Sequence, residues 1–96
     1  MKYIAFFELD PEDFEKVIEK YRQGLAEIEK GTEKYPKPLS EPYGMGGEFK
    51  GFQLYETDNP EQLVNLALYY APEMKHKFVP IFEVAKVIEL YQKTKQ

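Results

Sequence analysis

Residues 44–58 read Gly44-Met-Gly-Gly-Glu-Phe-Lys-Gly-Phe-Gln-Leu-Tyr-Glu-Thr-Asp58. The stretch combines a glycine turn, a strand and the acidic approach to a helix cap. Gly46-Gly47 supplies the positive φ values that a two-residue hairpin turn needs. Phe49 to Glu56 then sets aromatic and aliphatic residues on both faces of the strand. A strand wet on one side alternates cleanly between apolar and polar, so this one is expected to be covered on both. In so short a chain one layer of helices covers one side only. The other side calls for a partner.

Composition narrows the classes open to it. Ninety-six residues make one domain, 1–96. At that size the core is modest and association between subunits is a natural supplement. With 43% hydrophobic and 16% aromatic residues the chain is too apolar to be disordered. It has no cysteine, hence no disulfide framework, thiolate metal site or thiol nucleophile. The opening Met1-Lys-Tyr-Ile-Ala-Phe-Phe-Glu8 lacks the apolar core and cleavage site of a signal peptide, and no apolar run approaches the roughly 20 residues of a membrane span. A cytoplasmic protein without a membrane partner is the expectation. Net charge is −4, and the 13 basic residues are mostly lysines interleaved with glutamates. No basic stripe stands out, so nucleic acid is not an expected partner. Abundant Glu and Lys resembles the composition of proteins from hot environments.

In chain order, Lys2 to Leu9 is a first strand, with Tyr3, Ala5, Phe7 and Leu9 on one face and Ile4, Phe6 and Glu8 on the other. Asp10 reads as the cap of a helix with Pro11 in its first position. Phe14, Val17, Ile18, Tyr21, Leu25 and Ile28 form its apolar stripe, and Gly31 ends it in a left-handed cap. After a polar connection, Leu39 to Met45 is a short second strand, which Pro42 confines to a sheet edge. Beyond the third strand, Asp58-Asn59-Pro60-Glu61-Gln62 echoes the first helix start. Leu63, Leu66, Ala67 and Tyr70 make the second stripe, and Pro72 breaks it. Lys77 to Val84 reads as a fourth strand, and Ala85 to Lys95 as a C-terminal helix with Val87, Ile88 and Tyr91 on its apolar face.

The order is βαββαβ with an added helix, an α+β pattern. Right-handed crossovers around a hairpin lead to an antiparallel 4-1-3-2 sheet with two helices on one face, the ferredoxin-like fold. The bare face stays apolar, and two such faces together give a homodimer, a dimeric α+β barrel.

The run from Gly44 to Leu63, followed by Phe78-Val-Pro-Ile-Phe-Glu-Val84 and a short helix, resembles a family of small microbial domains of the dimeric α+β barrel superfamily. The similarity covers the second half and the first strand. Its motifs are structural punctuation and carry no catalytic signature. Superfamily relatives include cofactor-free monooxygenases, small isomerases, haem-dependent chlorite-degrading enzymes and ligand-sensing modules, and fold alone does not choose among them.

Few residues offer chemistry. The glycine loop leads into a strand rather than a helix, unlike a phosphate loop. His76 is the only histidine and Ser40 the only serine. No metal or cofactor is expected, and a surface position is the ordinary reading of His76. Antiparallel pairing brings the end of the first strand beside the starts of the third and fourth, setting Glu8 near His76, Lys77 and Lys50, and Lys2 near Glu56 and Glu83. The plain reading is cross-strand charge pairs, worth a few tenths of a kcal/mol each. The functional one is a Glu8–His76 couple in which the carboxylate raises the basicity of the ring. Gln53, Tyr55 and Tyr3 are the candidates for ligand contact, although tyrosines also serve interfaces. Two functions follow. One is an oligomeric binding or assembly module for a small apolar or aromatic ligand, the favoured reading. The other is a cofactor-free enzyme of the monooxygenase or isomerase kind, with His76 and Glu8 as catalytic candidates.

Overall fold

Strand β1 (Lys2–Leu9) runs through the middle of the sheet in the computed structural model, which describes residues 1–95. It lies between β4 (Lys50–Glu56) and β5 (Met74–Ile81) and is antiparallel to both. Beyond β4 the edge carries two short strands, β2 (Lys37–Pro38) and β3 (Tyr43–Gly44). The order is β2-β4-β1-β5, with β3 beside β4 off that path, giving five strands in an antiparallel sheet. The expected 4-1-3-2 arrangement of four strands is therefore corrected at this edge. Leu39 to Met45 does not form one strand. From Pro38 to Tyr43 the edge advances five residues while β4 advances three, from Tyr55 to Phe52. The segment bulges because Pro42 has no amide to donate. Ser40 bridges the gap, its Oγ accepting the Leu54 amide at 3.0 Å, while the Leu39 amide donates to the Leu54 carbonyl at 2.8 Å.

Other boundaries shift for local reasons. Pro11–Asp13 forms a 3₁₀ turn that leads into α1 (Phe14–Glu29), and the Asp10 side chain caps nothing. Gly31, at φ +80°, ends that helix as expected. The Met45–Glu48 turn closes through the Glu48 amide on the Met45 carbonyl, with only Gly47 at positive φ (+78°). The Met45 amide donates to the Lys50 carbonyl, and five residues, 45–49, separate β3 from β4 where a two-residue turn is expected. Helix α2 (Pro60–Tyr70) starts as its sequence implies, Asn59 accepting from the Glu61 amide at 3.1 Å. Strand β5 begins at Met74, three residues ahead of the expected Lys77, which places His76 inside the strand. Helix α3 (Val84–Thr94) completes the chain.

Alternation and register divide the sheet into two faces. Ala5, Phe7, Leu9, Tyr55, Met74 and Phe78 join Val17 of α1 and Leu66 and Tyr70 of α2 in the core. Ile4, Phe6, Phe52, Leu54, Val79 and Ile81 are the alternate residues, and pairing brings them together on the opposite face. Of the α1 stripe only Val17 is buried; Phe14, Leu25 and Ile28 stay exposed. This helix covers the sheet incompletely. Helix α3 extends outward, and Val84, Val87, Ile88 and Tyr91 along it are all at least half exposed. No helix among the described residues is long and apolar enough to cross a membrane.

Candidate functional site

The gap left by α1 is a cavity of about 180 Å³ between that helix and the sheet. Strand β1 contributes Ala5, Phe7 and Leu9, and α1 contributes Phe14, Val17, Ile18 and Tyr21. Gln53 and Tyr55 of β4, Tyr70 of α2, and Met74 and His76 of β5 complete the wall with Pro42 from the edge. A smaller cavity of about 50 Å³ adjoins it, sharing Tyr21, Gln53, Tyr55 and Tyr70 and extending to Leu25, Ile28 and Tyr35. The apolar spacing of α1 and the inward phase of three strands produce this lining.

None of the residues lining the larger cavity is an acid, a lysine or an arginine. Its polar groups are few and specific. The Tyr55 hydroxyl donates to Gln53 Oε1 at 2.7 Å, and Gln53 Nε2 donates to the Ser40 carbonyl at 2.8 Å. Burial, with a smaller contribution from neighbouring tyrosines, pushes both the Tyr55 and Tyr70 hydroxyls far up, so each stays neutral. His76 stacks on Phe78 with centroids 5.6 Å apart and lies 5.5 Å from the Tyr70 ring and 6.4 Å from Phe7. Burial lowers its pKa to about 4, making the ring neutral at pH 7. Its Nδ1 is buried and has no hydrogen-bond partner among the described residues.

The residues singled out in the sequence separate into two groups. Gln53, Tyr55 and His76 come together in the cavity. Tyr3 stands opposite Tyr55 and Pro80 and lines neither cavity. Glu8 belongs elsewhere. Its register partners are Lys50 and Lys75, whereas His76 faces Phe7. The one-residue offset sends Glu8 and His76 to opposite faces of the sheet, so the Glu8–His76 couple does not form. Glu8 instead lies 4.0 Å from Lys50 Nζ. The ring is lowered by burial and not raised by a carboxylate. At the other end Lys2 pairs with Glu83 at 3.1 Å, as antiparallel pairing implies. Tyr21 and Tyr70, visible in the sequence only as stripe members, prove to be cavity walls. Their signal was a polar tip in an apolar helical stripe. No group of three or more His, Asp or Glu among the described residues is placed to hold a metal ion.

A family described as a domain of unknown function (DUF3303) matches residues 1–95, and the chain belongs to it. No curated protein matches the chain.

Proposed function

We propose that this member of the family is a homodimeric binding module that holds a small apolar or aromatic molecule between α1 and the sheet. The observation that carries the reading is the cavity itself, about 180 Å³ with an uncharged lining and a few convergent polar groups. That combination is the usual signature of a small-molecule site. An apolar cavity of roughly 150 Å³ accepts a benzene ring, so this one suits a single ring with a short substituent. The alternative, a cofactor-free enzyme, is less well served. A general base works best with a pKa near the operating pH, and His76 at about 4 is a weak one.

The dimer belongs to the same proposal. The domain is read as ferredoxin-like, with two copies joined through Ile4, Phe6, Phe52, Leu54, Val79 and Ile81 as a dimeric α+β barrel. These six apolar side chains, each partly exposed, lie together on one face of the sheet, and contiguous apolar patches mark association surfaces. The exposed stripe of α3 supplies further apolar surface.

Two measurements test the proposal. Toluene and 4-methylphenol, each titrated into the full chain, should shift amide resonances of Ala5, Phe7, Val17 and Met74 in a saturable way; no saturable shift with either refutes the cavity as a site. Light scattering at micromolar concentration should give a dimer, and Phe52→Glu a monomer. A monomeric parent refutes the assembly.

A further inference from the structure

We propose that the cleft selects uncharged aromatic molecules bearing a hydroxyl group, with His76, Tyr21 and Tyr70 making the selection. The inference rests on the cleft being a binding site and names the class of ligand it takes.

Charge is the first filter. A carboxylate entering the cleft loses its hydration, and no lining residue offers a cation in return. Lys50, Lys75 and Lys77 line a different depression, together with Glu8. His76 borders that depression too, but its ring is neutral at pH 7 and supplies no charge to either side.

Hydrogen bonding is the second filter. Gln53 and Tyr55 already satisfy each other and the Ser40 carbonyl. His76 Nδ1 has no partner. Among the described residues the tyrosine hydroxyls in hydrogen bonds are those of Tyr55 and Tyr69, which leaves Tyr21 and Tyr70 free to bond a guest. A hydrocarbon in the cleft abandons these groups in a dry space, and an unpaired buried polar group is costly. A hydroxyl both donates and accepts, so it serves either neutral tautomer of the ring and either tyrosine. The aromatic walls formed by Phe7, Tyr70 and the His76–Phe78 stack suit a flat ring.

Three probes on one ring test the proposal: 4-methylphenol, toluene and 4-methylbenzoate, each titrated into the full chain at pH 7.5 and followed by amide chemical shifts. 4-Methylphenol should bind about tenfold or more tighter than toluene, the factor expected when a buried polar group gains its partner. 4-Methylbenzoate should bind weakest. His76→Phe keeps a ring in the stack but removes the Nδ1 partner, so the ratio of 4-methylphenol affinity to toluene affinity should fall. Should that variant fail to fold, Tyr21→Phe carries the same comparison. Equal affinity for toluene and 4-methylphenol overturns the hydroxyl selection while the cleft stands as a site. Tightest binding by 4-methylbenzoate overturns the charge filter and points to the lysine depression. An unchanged phenol advantage in both variants overturns the assignment to these residues. Failure of all three probes to bind overturns the inference together with the cleft reading beneath it.

Discussion

Lowering the pH from 7 to 5 should destabilise the fold by about 2 kcal/mol through His76 alone. The ring lies among Phe7, Tyr70 and Phe78, and burial sets its folded pKa at about 4 against an ordinary value near 6.5. The charged groups nearest along its strand are Lys75 and Lys77, which cannot favour an imidazolium. Above 6.5 the ring is neutral in both states and contributes no pH dependence. Below 6.5 the unfolded ring takes up a proton that the folded ring refuses, so stability falls with pH until the folded ring titrates near 4. Each pKa unit is worth about 1.4 kcal/mol, which puts the full loss at about 3 kcal/mol and the loss by pH 5 at about 2. Partial exposure of the ring makes these upper figures. Urea unfolding at pH 7 and pH 5 measures the penalty in the parent and in His76→Phe, and the difference between the two proteins cancels the carboxylates they share. An NMR titration of the imidazole gives the pKa directly. A ring that titrates at or above 6.5, or an equal acid penalty in both proteins, refutes the reasoning. A Glu8–His76 pair would have produced that opposite sign.

Three further outcomes follow from named contacts. Gly51→Ala should destabilise by more than about 2 kcal/mol in a denaturant melt, because a Cβ there overlaps the Tyr43 carbonyl oxygen and the Phe7 ring. Asn59→Ala removes the cap on the Glu61 amide and should lower stability by about 1 kcal/mol by the same assay. Lys20→Met breaks the 3.1 Å pair with Glu73 and the 3.2 Å bond to the Ala71 carbonyl. The Lys20 hydrogen bond is the main influence holding the Glu73 carboxyl below the usual carboxylate range. The pair therefore stabilises above the unfolded carboxylate pKa and is lost as pH falls through the folded value. Melts at pH 7 and pH 2.5 should show the difference between parent and variant shrinking in acid.

Much of this arrangement is legible in the residues themselves. The Pro-led start of α2, the Gly31 cap and the two-faced strands follow from side-chain period and backbone chemistry and form there, whereas at the first start Pro11 opens a 3₁₀ turn ahead of α1. The edge resists such reading because a proline inside a candidate strand marks an edge without fixing where pairing resumes. Two short ladders flanking a Ser40-bridged bulge leave no periodic signal. His76 shows the same difficulty at a functional position. A strand start misplaced by three residues hides that Met74, His76 and Phe78 alternate toward the core. Strand ends place Glu8 beside His76, whereas register decides faces one residue at a time. The cavity itself is a tertiary property. Phe14 lines it while Leu25 and Ile28 line the smaller cavity beside it, and all three stay exposed, which a helical stripe alone cannot reveal.

The most direct test of the binding claim is the location of 4-methylphenol by intermolecular NOEs to assigned methyl groups. Contacts to Ala5, Val17, Ile18 and Met74, all in the wall of the cleft, are the predicted result. Contacts to Ile4, Val79 and Ile81 on the opposite face instead, with none in the cleft, would contradict it.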